Sequence, residues 1–417
     1  MHDVVVVGAG PTGCYAARQL ARLGYEVLVL EEHFEVGEPV HCTGVIGLEV
    51  YERFDLDRGC VEAKLFSARF VSPSGQSFRV AADEPKAVVV DRRRFDQTLA
   101  EEALAAGASF LLGTRVESIL PQERSAIVAG ECLGEPVSFR ASLAIVATGT
   151  DDTLTEKLGL AGAVGESLFG AQLFAQPGDL DEVEVHLGRS VAPGGFAWAV
   201  PANGHRCRVG LLSRQHPQTL LKRFAHTLAA RGAIRCNGGH VRYRRVPAGA
   251  RTPSYGDRLL VVGDAAGQVK TTTSGGIYYG LLGAEAAVRT ADRALRTRNL
   301  TASGLAPYEQ QWLSEVGAEQ RTGRALRRLY AALNDRDFDA LFWLARRIEL
   351  PKALGRLSFD WHTSGLLTVL WRDVIGAATT GLRGVRVRAT AGKTPLWRDG
   401  RRPATNLRKS LPPEWRM

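Results

Sequence analysis

Three stretches of the 417-residue chain carry residue types and spacings that could do chemistry. Gly8-Ala9-Gly10-Pro11-Thr12-Gly13 is a GxGxxG turn that follows a run of valines and opens a helix-patterned segment. Its glycines let the backbone turn tightly and approach a pyrophosphate, which rests on the positive end of the helix. Glu31 stands 23 residues past Gly8, near the end of the next strand. A carboxylate there accepts hydrogen bonds from ribose hydroxyls and repels a 2′-phosphate. Together these predict FAD or NAD in this pocket rather than NADP.

The second stretch, residues 258–267 (RLLVVGDAAG), is a strand ending in Gly263-Asp264. Gly263 lets the chain approach a cofactor, and Asp264 can accept a hydrogen bond from a ribitol hydroxyl. Gly275-Gly276-Ile277 then opens a helix whose amides and dipole could stabilise negative charge at a flavin N1–O2 edge. The third stretch, Ala147-Thr148-Gly149 at another strand end, is a weaker signature common to flavoproteins that handle two dinucleotides. An NAD-only dehydrogenase has no use for a Gly-Asp site so far downstream, so the combination predicts FAD. With no second GxGxxG, the electron donor is expected to be NAD(P)H bound transiently, or a ferredoxin.

The elements that must hold these residues follow from hydrophobic spacing. Residues 2–32 read as strand, glycine turn, helix and strand, with Ala16, Ala17, Leu20 and Leu23 at helical spacing. Residues 66–82 read as a hairpin turning at 73–75, 91–107 as a helix closed by Gly107, and 165–250 as mostly β. Residues 305–380 read as helical, with Trp312, Phe342, Trp343 and Trp371 on apolar faces. The predicted fold is α/β (α+β overall): a doubly wound, Rossmann-type FAD-binding domain from residues 1–65, 86–155 and 250–300. A β-rich substrate domain (66–85 and 156–249) is inserted into it, and a helical C-terminal region with a basic tail spans 301–417.

Composition excludes several classes. At 45% apolar and 23% charged, the chain is an ordinary globular protein, not a collagen, a coiled-coil rod or a disulfide mini-protein. No run of about 18 apolar residues occurs, so no spanning helix is predicted. Met1-His2-Asp3 lacks the basic start of a signal peptide. Six scattered cysteines (14, 42, 60, 132, 207 and 236) form no CxxC, which fits a reducing cytoplasm and predicts no metal site. HExxH and a nucleophile elbow are absent too. Residues 383–417 hold ten Lys/Arg against Asp399 and Glu414, so eight of the nine net positive charges lie in this tail. With Trp397 and Trp415, the tail could be a peripheral contact with the inner face of a membrane, an anchor for an acidic partner or a solvated end. Nucleic acid is not an expected partner, since no nucleic-acid motif occurs outside the tail.

Further segments carry a resemblance. Glu38 to Val45 (EPVHCTGV), Asp91-Arg92-Arg-Arg-Phe95-Asp96, and Pro193 to Pro201 (PGGFAWAVP) stand beside Gly263-Asp264 and Gly275 to Gly280 (GGIYYG). This set resembles the geranylgeranyl reductase family of FAD-dependent oxidoreductases, related to the aromatic-hydroxylase type, over roughly residues 2–300. The resemblance implies reduction of isolated carbon–carbon double bonds in polyprenyl chains, a part of isoprenoid and lipid metabolism. Its substrate classes are geranylgeranyl diphosphate, chlorophyll precursors, archaeal ether lipids and menaquinone tails. It also implies that Thr12, Glu31, Cys42, Thr43, Val45, Arg92, Asp264, Gly276 and Ile277 hold FAD, with Val116 meeting the adenine through its backbone. Gly8, Gly10, Gly13, Gly149 and Gly275 complete the expected cofactor site. Phe196 stands where the family has tyrosine, whereas Trp198 and Pro201 match.

An isolated alkene needs a hydride on one carbon and a proton on the other, in a water-free, apolar tunnel. Phe174, Phe196, Trp198, Tyr278 and Tyr279 are the candidates to line it, with core packing as the rival reading of each. Cys42, Trp198 and Tyr279 are the candidate catalytic residues. Cys42 could donate a proton, pack on the ring, act as a latch, or be a small buried hydrophobe. Tyr278, His41 and His205 are further proton-donor candidates, and Arg92 could grip pyrophosphate oxygens in a bidentate fork. Rival functions are a flavin monooxygenase or halogenase, an electron-transfer flavoprotein acting on quinone, and a non-catalytic lipid-binding flavoprotein.

Overall fold

Four consecutive valines, Val4–Val7, offer no polar face, and such a run is stable as a strand only when both sides are covered. The computed structural model describes residues 1–160, 162, 168–203, 205–235, 240–348, 350–361 and 365. In it the strand His2–Val7 lies inside an eight-stranded sheet, in the order Tyr255–Gly256, Leu259–Val261, Glu135–Val146, His2–Val7, Val27–Leu30 and Ser109–Leu111. All neighbours from Leu259–Val261 to Ser109–Leu111 pair in parallel. Glu135–Val146 also leads an antiparallel meander with Ala126–Cys132 and Thr114–Pro121. Val4 and Val6 pack toward the helices Pro11–Arg22, Arg92–Ala105 and Ile277–Thr297. Val5 and Val7 pack on the opposite side, with Ile119, Val128 and Leu154. The parallel sheet of this Rossmann-type domain is thus covered by helices on one face and by the meander on the other.

The helix expected over 91–107 runs Arg92–Ala105, and Asp91 caps it by accepting from the amides of Arg93 (3.0 Å) and Arg94 (3.1 Å). A second eight-stranded sheet runs Ile234–Arg235, Leu168–Pro177, Cys207–Ser213, Ala197–Pro201, Val183–His186, Ser67–Val71 and Ser77–Ala81, with Arg242–Val246 also paired to Leu168–Pro177. The helix Pro217–Ala230 buries Leu221, Phe224 and Leu228 against Leu173, Val209 and Leu211 on one side of this sheet. A small antiparallel sheet of Val45–Gly47, Ala87–Val90 and Val61–Leu65 follows directly on the Cys42–Gly44 loop.

Among the described residues, three helices follow residue 306: Pro307–Ala332, Asp335–Arg347 and Leu350–Leu354. Trp312 and Phe342 are buried, but Trp343 is 53% exposed, with the Arg347 guanidinium 4.2 Å from its ring centre. Adjacent helix positions point about 100° apart, so Phe342 and Trp343 cannot share a face. Trp371 and the basic tail lie outside the described residues. No helix among the described residues is long and apolar enough to cross a membrane. Met1–Leu366 pack as one unit, in which residues 358–361 return to the start of the Ile277–Thr297 helix. There Lys270 and Asp360 form a buried ion pair of 2.8 Å.

Candidate functional site

The GxGxxG turn is closed behind and open in front. Gly8 has φ of +105°, and a Cβ there would lie 2.4 Å from the Ala147 carbonyl oxygen. A Cβ at Gly13 would lie 2.1 Å from the Gly8 carbonyl oxygen, whereas one at Gly10 would meet nothing within 4 Å. The helix Pro11–Arg22 starts at this turn with no side chain capping its amides. The Glu31 carboxylate reaches back over the turn from the end of its strand and accepts from the Ala9 amide at 2.7 Å. The Cys14 thiol donates to the Ala9 carbonyl and is buried, a structural role. A pyrophosphate at Gly10 with a ribose at Glu31 fits this geometry.

Distant segments meet beside the turn. Ala147, of the Ala-Thr-Gly strand end, lies under Gly8, and the Thr12 hydroxyl lies 3.0 Å from where a Gly263 Cβ would stand. The Asp264 carboxylate passes so close to Gly276 that a Cβ there would be 2.1 Å from it. Burial raises the Asp264 carboxyl above its ordinary range, against the pull of Arg244, Arg92 and Arg251. Gly276 precedes Ile277, the first residue of the Ile277–Thr297 helix, and Gly275 packs under the Lys270 side chain. Glu31, Asp264 and the first turn of this helix thus sit in the order an extended dinucleotide needs, and the residues fit FAD. Val116 lies in the meander strand Thr114–Pro121, packed beside Gly130.

The Cys42-Thr43-Gly44 loop is tied to the second sheet by two residues the sequence did not single out. Gln172 accepts from the Thr43 hydroxyl at 2.7 Å and donates to the Cys42 carbonyl at 3.5 Å. Arg208 donates to the carbonyls of Thr43 and Val90 and pairs with Glu62. Both are buried polar residues within mostly apolar strands, which is the one signal that could have marked them. Arg92 forks onto Asp96 at 2.8 and 2.9 Å, and its guanidinium also faces the Cys42 thiol. Burial raises the Asp96 carboxyl, and Arg92 opposes that shift.

Strand register places the remaining candidates. Gln172 pairs with both Gly210 and Arg242, Phe174 with Arg208, and Trp198 with Gly210, so these side chains share the face turned to the Cys42 loop. Phe196 joins Trp198, with ring centres 5.5 Å apart. Tyr278 and Tyr279 sit elsewhere. They are 7% and 1% exposed and pack with Phe54 and Trp361, and the Tyr279 hydroxyl donates to the Asp360 carbonyl at 3.2 Å. Burial drives the Tyr279 phenol pKa well up and the Tyr278 phenol to about 12. His205 is exposed.

Gly210 gives the Trp198 indole its seat, since a Cβ there would lie 2.4 Å from the ring carbon Cζ2. Gly210→Ala is expected to displace the indole and shift tryptophan fluorescence while leaving flavin content unchanged. An unaltered spectrum would mean that the ring does not lie across the strand.

Half-buried His41 titrates low, at about 4, first because of burial and then because of the charges of Arg244, Arg242 and His33. Between about 4 and the ordinary value of 6.5, the unfolded chain binds a proton that the folded chain does not. Stability is therefore expected to fall as pH drops through this window. His41→Asn should flatten that limb of a melting-temperature profile, and an unchanged limb would remove His41 as its cause.

Residues 3–58 match the family model described as FAD dependent oxidoreductase. The chain is an FAD-dependent oxidoreductase related to the geranylgeranyl reductases. Digeranylgeranylglycerophospholipid reductase 1 of Methanococcoides burtonii is 29% identical to this flavoprotein, over 84% of this chain and 89% of its own length. The enzyme of the same name from Methanosphaera stadtmanae is 28% identical, over 85% and 91%. The flavoprotein shares its fold with a geranylgeranyl bacteriochlorophyll reductase-like protein of Thermoplasma acidophilum, at a TM-score of 0.80 and 22% identity, over 91% of this chain and 98% of that one. The L111Y mutant of the halogenase PltM in complex with FAD has a TM-score of 0.65 and 15% identity, over 92% of this chain and 93% of that one.

Proposed function

We propose that this flavoprotein hydrogenates isolated carbon–carbon double bonds in the polyprenyl chain of a lipid. The observation that carries this reading is the aromatic face of the second sheet. Phe174, Phe196 and Trp198 stand on the face that Gln172 ties to the Cys42–Gly44 loop. Once reduced by the electron donor, bound FAD would supply the hydride for one alkene carbon, and the other carbon takes a proton, for which the Cys42 thiol is the candidate donor. The chain's own residues do the rest: Gly8 to Gly13, Glu31 and Asp264 hold and orient the cofactor. The aromatic face positions the alkene and excludes water, and the Cys42 loop, braced by Gln172 and Arg208, fixes the approach. The names of the M. burtonii and M. stadtmanae relatives support a geranylgeranyl lipid as the substrate class. Peripheral contact with a membrane through the basic tail, and an electron donor of the NAD(P)H or ferredoxin kind, belong to the same proposal.

The test is direct. The holoprotein is reduced with dithionite without oxygen and offered geranylgeranyl ether lipid, geranylgeranyl diphosphate and menaquinone. The expected result is a gain of about two mass units per reduced bond, with the flavin reoxidised. No mass gain without oxygen, and an added oxygen atom with NADPH and air, would overturn the reading in favour of a monooxygenase.

A further inference from the structure

Arg18, Arg92, Arg208 and Arg251 each end on a carboxylate, those of Glu102, Asp96, Glu62 and Asp152. Arg242 and Arg244 do not. They alternate with Tyr243 along the strand Arg242–Val246, so both side chains point to one face. The register sets them opposite Gln172 and Gly170, on the same face as Phe174 and Trp198. Arg244 donates to the hydroxyl of Thr150, and its Nη2 lies 3.6 Å from where a Gly149 Cβ would stand. Arg242 has no hydrogen-bond or carboxylate partner among the described residues.

His41 is the third group. Its ring Nδ1 is buried and bonded to nothing among the described residues. The charges of both guanidiniums reach its ring, which stays neutral at pH 7 and so keeps one nitrogen as a donor and one as an acceptor. Two half-buried guanidiniums of one strand and an unsatisfied imidazole nitrogen from a second segment face one another, and among the described residues no carboxylate hydrogen-bonds to or ion-pairs with any of the three. Guanidinium forks match the paired oxygens of a phosphate. The pyrophosphate of FAD has its own place, at Gly10 and the start of the Pro11–Arg22 helix.

We propose that His41, Arg242 and Arg244 form a binding subsite for the phosphate of a second ligand, separate from the pyrophosphate of FAD. Its chemistry is that of a phosphate ester or diphosphate. Two sources supply such a group: the head of a prenyl substrate, or a nicotinamide dinucleotide that reduces the flavin. The second does not depend on the prenyl reading, so the two can fail separately.

The test measures binding to the oxidised holoprotein of geranylgeranyl diphosphate, geranylgeraniol and NADPH, for the wild type, Arg242→Met and Arg242→Lys. Arg242→Met is expected to weaken a phosphate-bearing ligand roughly ten- to a hundredfold, the loss of a charge-assisted fork. Geranylgeraniol affinity and flavin content should hold. Loss confined to the diphosphate assigns the subsite to the substrate head, and loss confined to NADPH assigns it to the electron donor. Unchanged affinity for both ligands overturns the proposal, as does failure of the wild type to bind either. Loss of flavin with both affinities otherwise intact overturns it as well, because the guanidiniums then serve FAD itself. If Arg242→Met does not fold, Arg242→Lys decides: it keeps the charge but not the fork, so weakened binding supports the subsite and unchanged binding sinks it.

Discussion

Lys270→Met is expected to lower stability by about 3–5 kcal/mol, the cost of leaving one member of a buried ion pair without its partner. Lys270 and Asp360 are 6% and 2% exposed, with Nζ 2.8 Å from one Asp360 carboxylate oxygen. The other oxygen is buried without a hydrogen-bond partner, so the lysine is the main compensation for the charge. The ammonium also stands 4.2 Å from the Phe359 ring centre. Removing both charges in Lys270→Met/Asp360→Leu should recover most of the loss, because an apolar pair of similar volume tolerates burial. Urea midpoints of the two single variants and the double variant check this. A single variant within about 1 kcal/mol of the wild type would mean that the pair is hydrated in solution.

Gly13→Val should remove bound flavin and lower stability by about 2–3 kcal/mol, at the upper end of ordinary point substitutions. The obstacle is backbone: a Cβ would lie 2.1 Å from the Gly8 carbonyl oxygen, so the turn itself must open. Gly10→Ala provides the contrast, because its Cβ meets no protein atom within 4 Å. It should fold normally and still bind flavin more weakly, since the methyl enters the space assigned to the pyrophosphate. Flavin-to-protein absorbance ratios and thermal melts separate the two effects. Full flavin retention in Gly10→Ala would move the pyrophosphate away from this turn.

The dinucleotide half of the site was legible in the sequence because its signals are local. A strand, a glycine turn and a helix start lie within a few residues of one another, and the backbone does most of the binding. Glu31, Asp264 and Gly276 stand at strand ends and helix starts for the same reason. The second sheet was legible as strands but not as an order. Its parallel pairing of Val183–His186 with Ser67–Val71 joins segments that no local pattern connects. Gln172, Arg208 and Gly210 are ordinary residues one at a time. They gain meaning only from the register that sets Gln172 and Trp198 on either side of Gly210. Tyr278 and Tyr279 follow a glycine pair that suggested a cofactor edge, yet Trp361 and Asp360 return to seal them. Trp343 shows the limit of reading a helix by its aromatics, since its neighbour Phe342 takes the inward position.

The return of residues 358–361 also sets a timetable for synthesis. The Ser358 hydroxyl bonds Glu49, 309 positions earlier in the chain, and Trp361 covers rings on the Ile277–Thr297 helix. The valine strand pairs with Glu135–Val146, which is made well after it, and that strand in turn waits for Leu259–Val261. Through much of translation the growing chain therefore carries an apolar strand with an open edge, the form of segment most prone to pair with another chain. A sheet edge that stays open until Leu259–Val261 is made, and a first turn of the Ile277–Thr297 helix that stays uncovered until residues 358–361 are made, follow from this order of contacts.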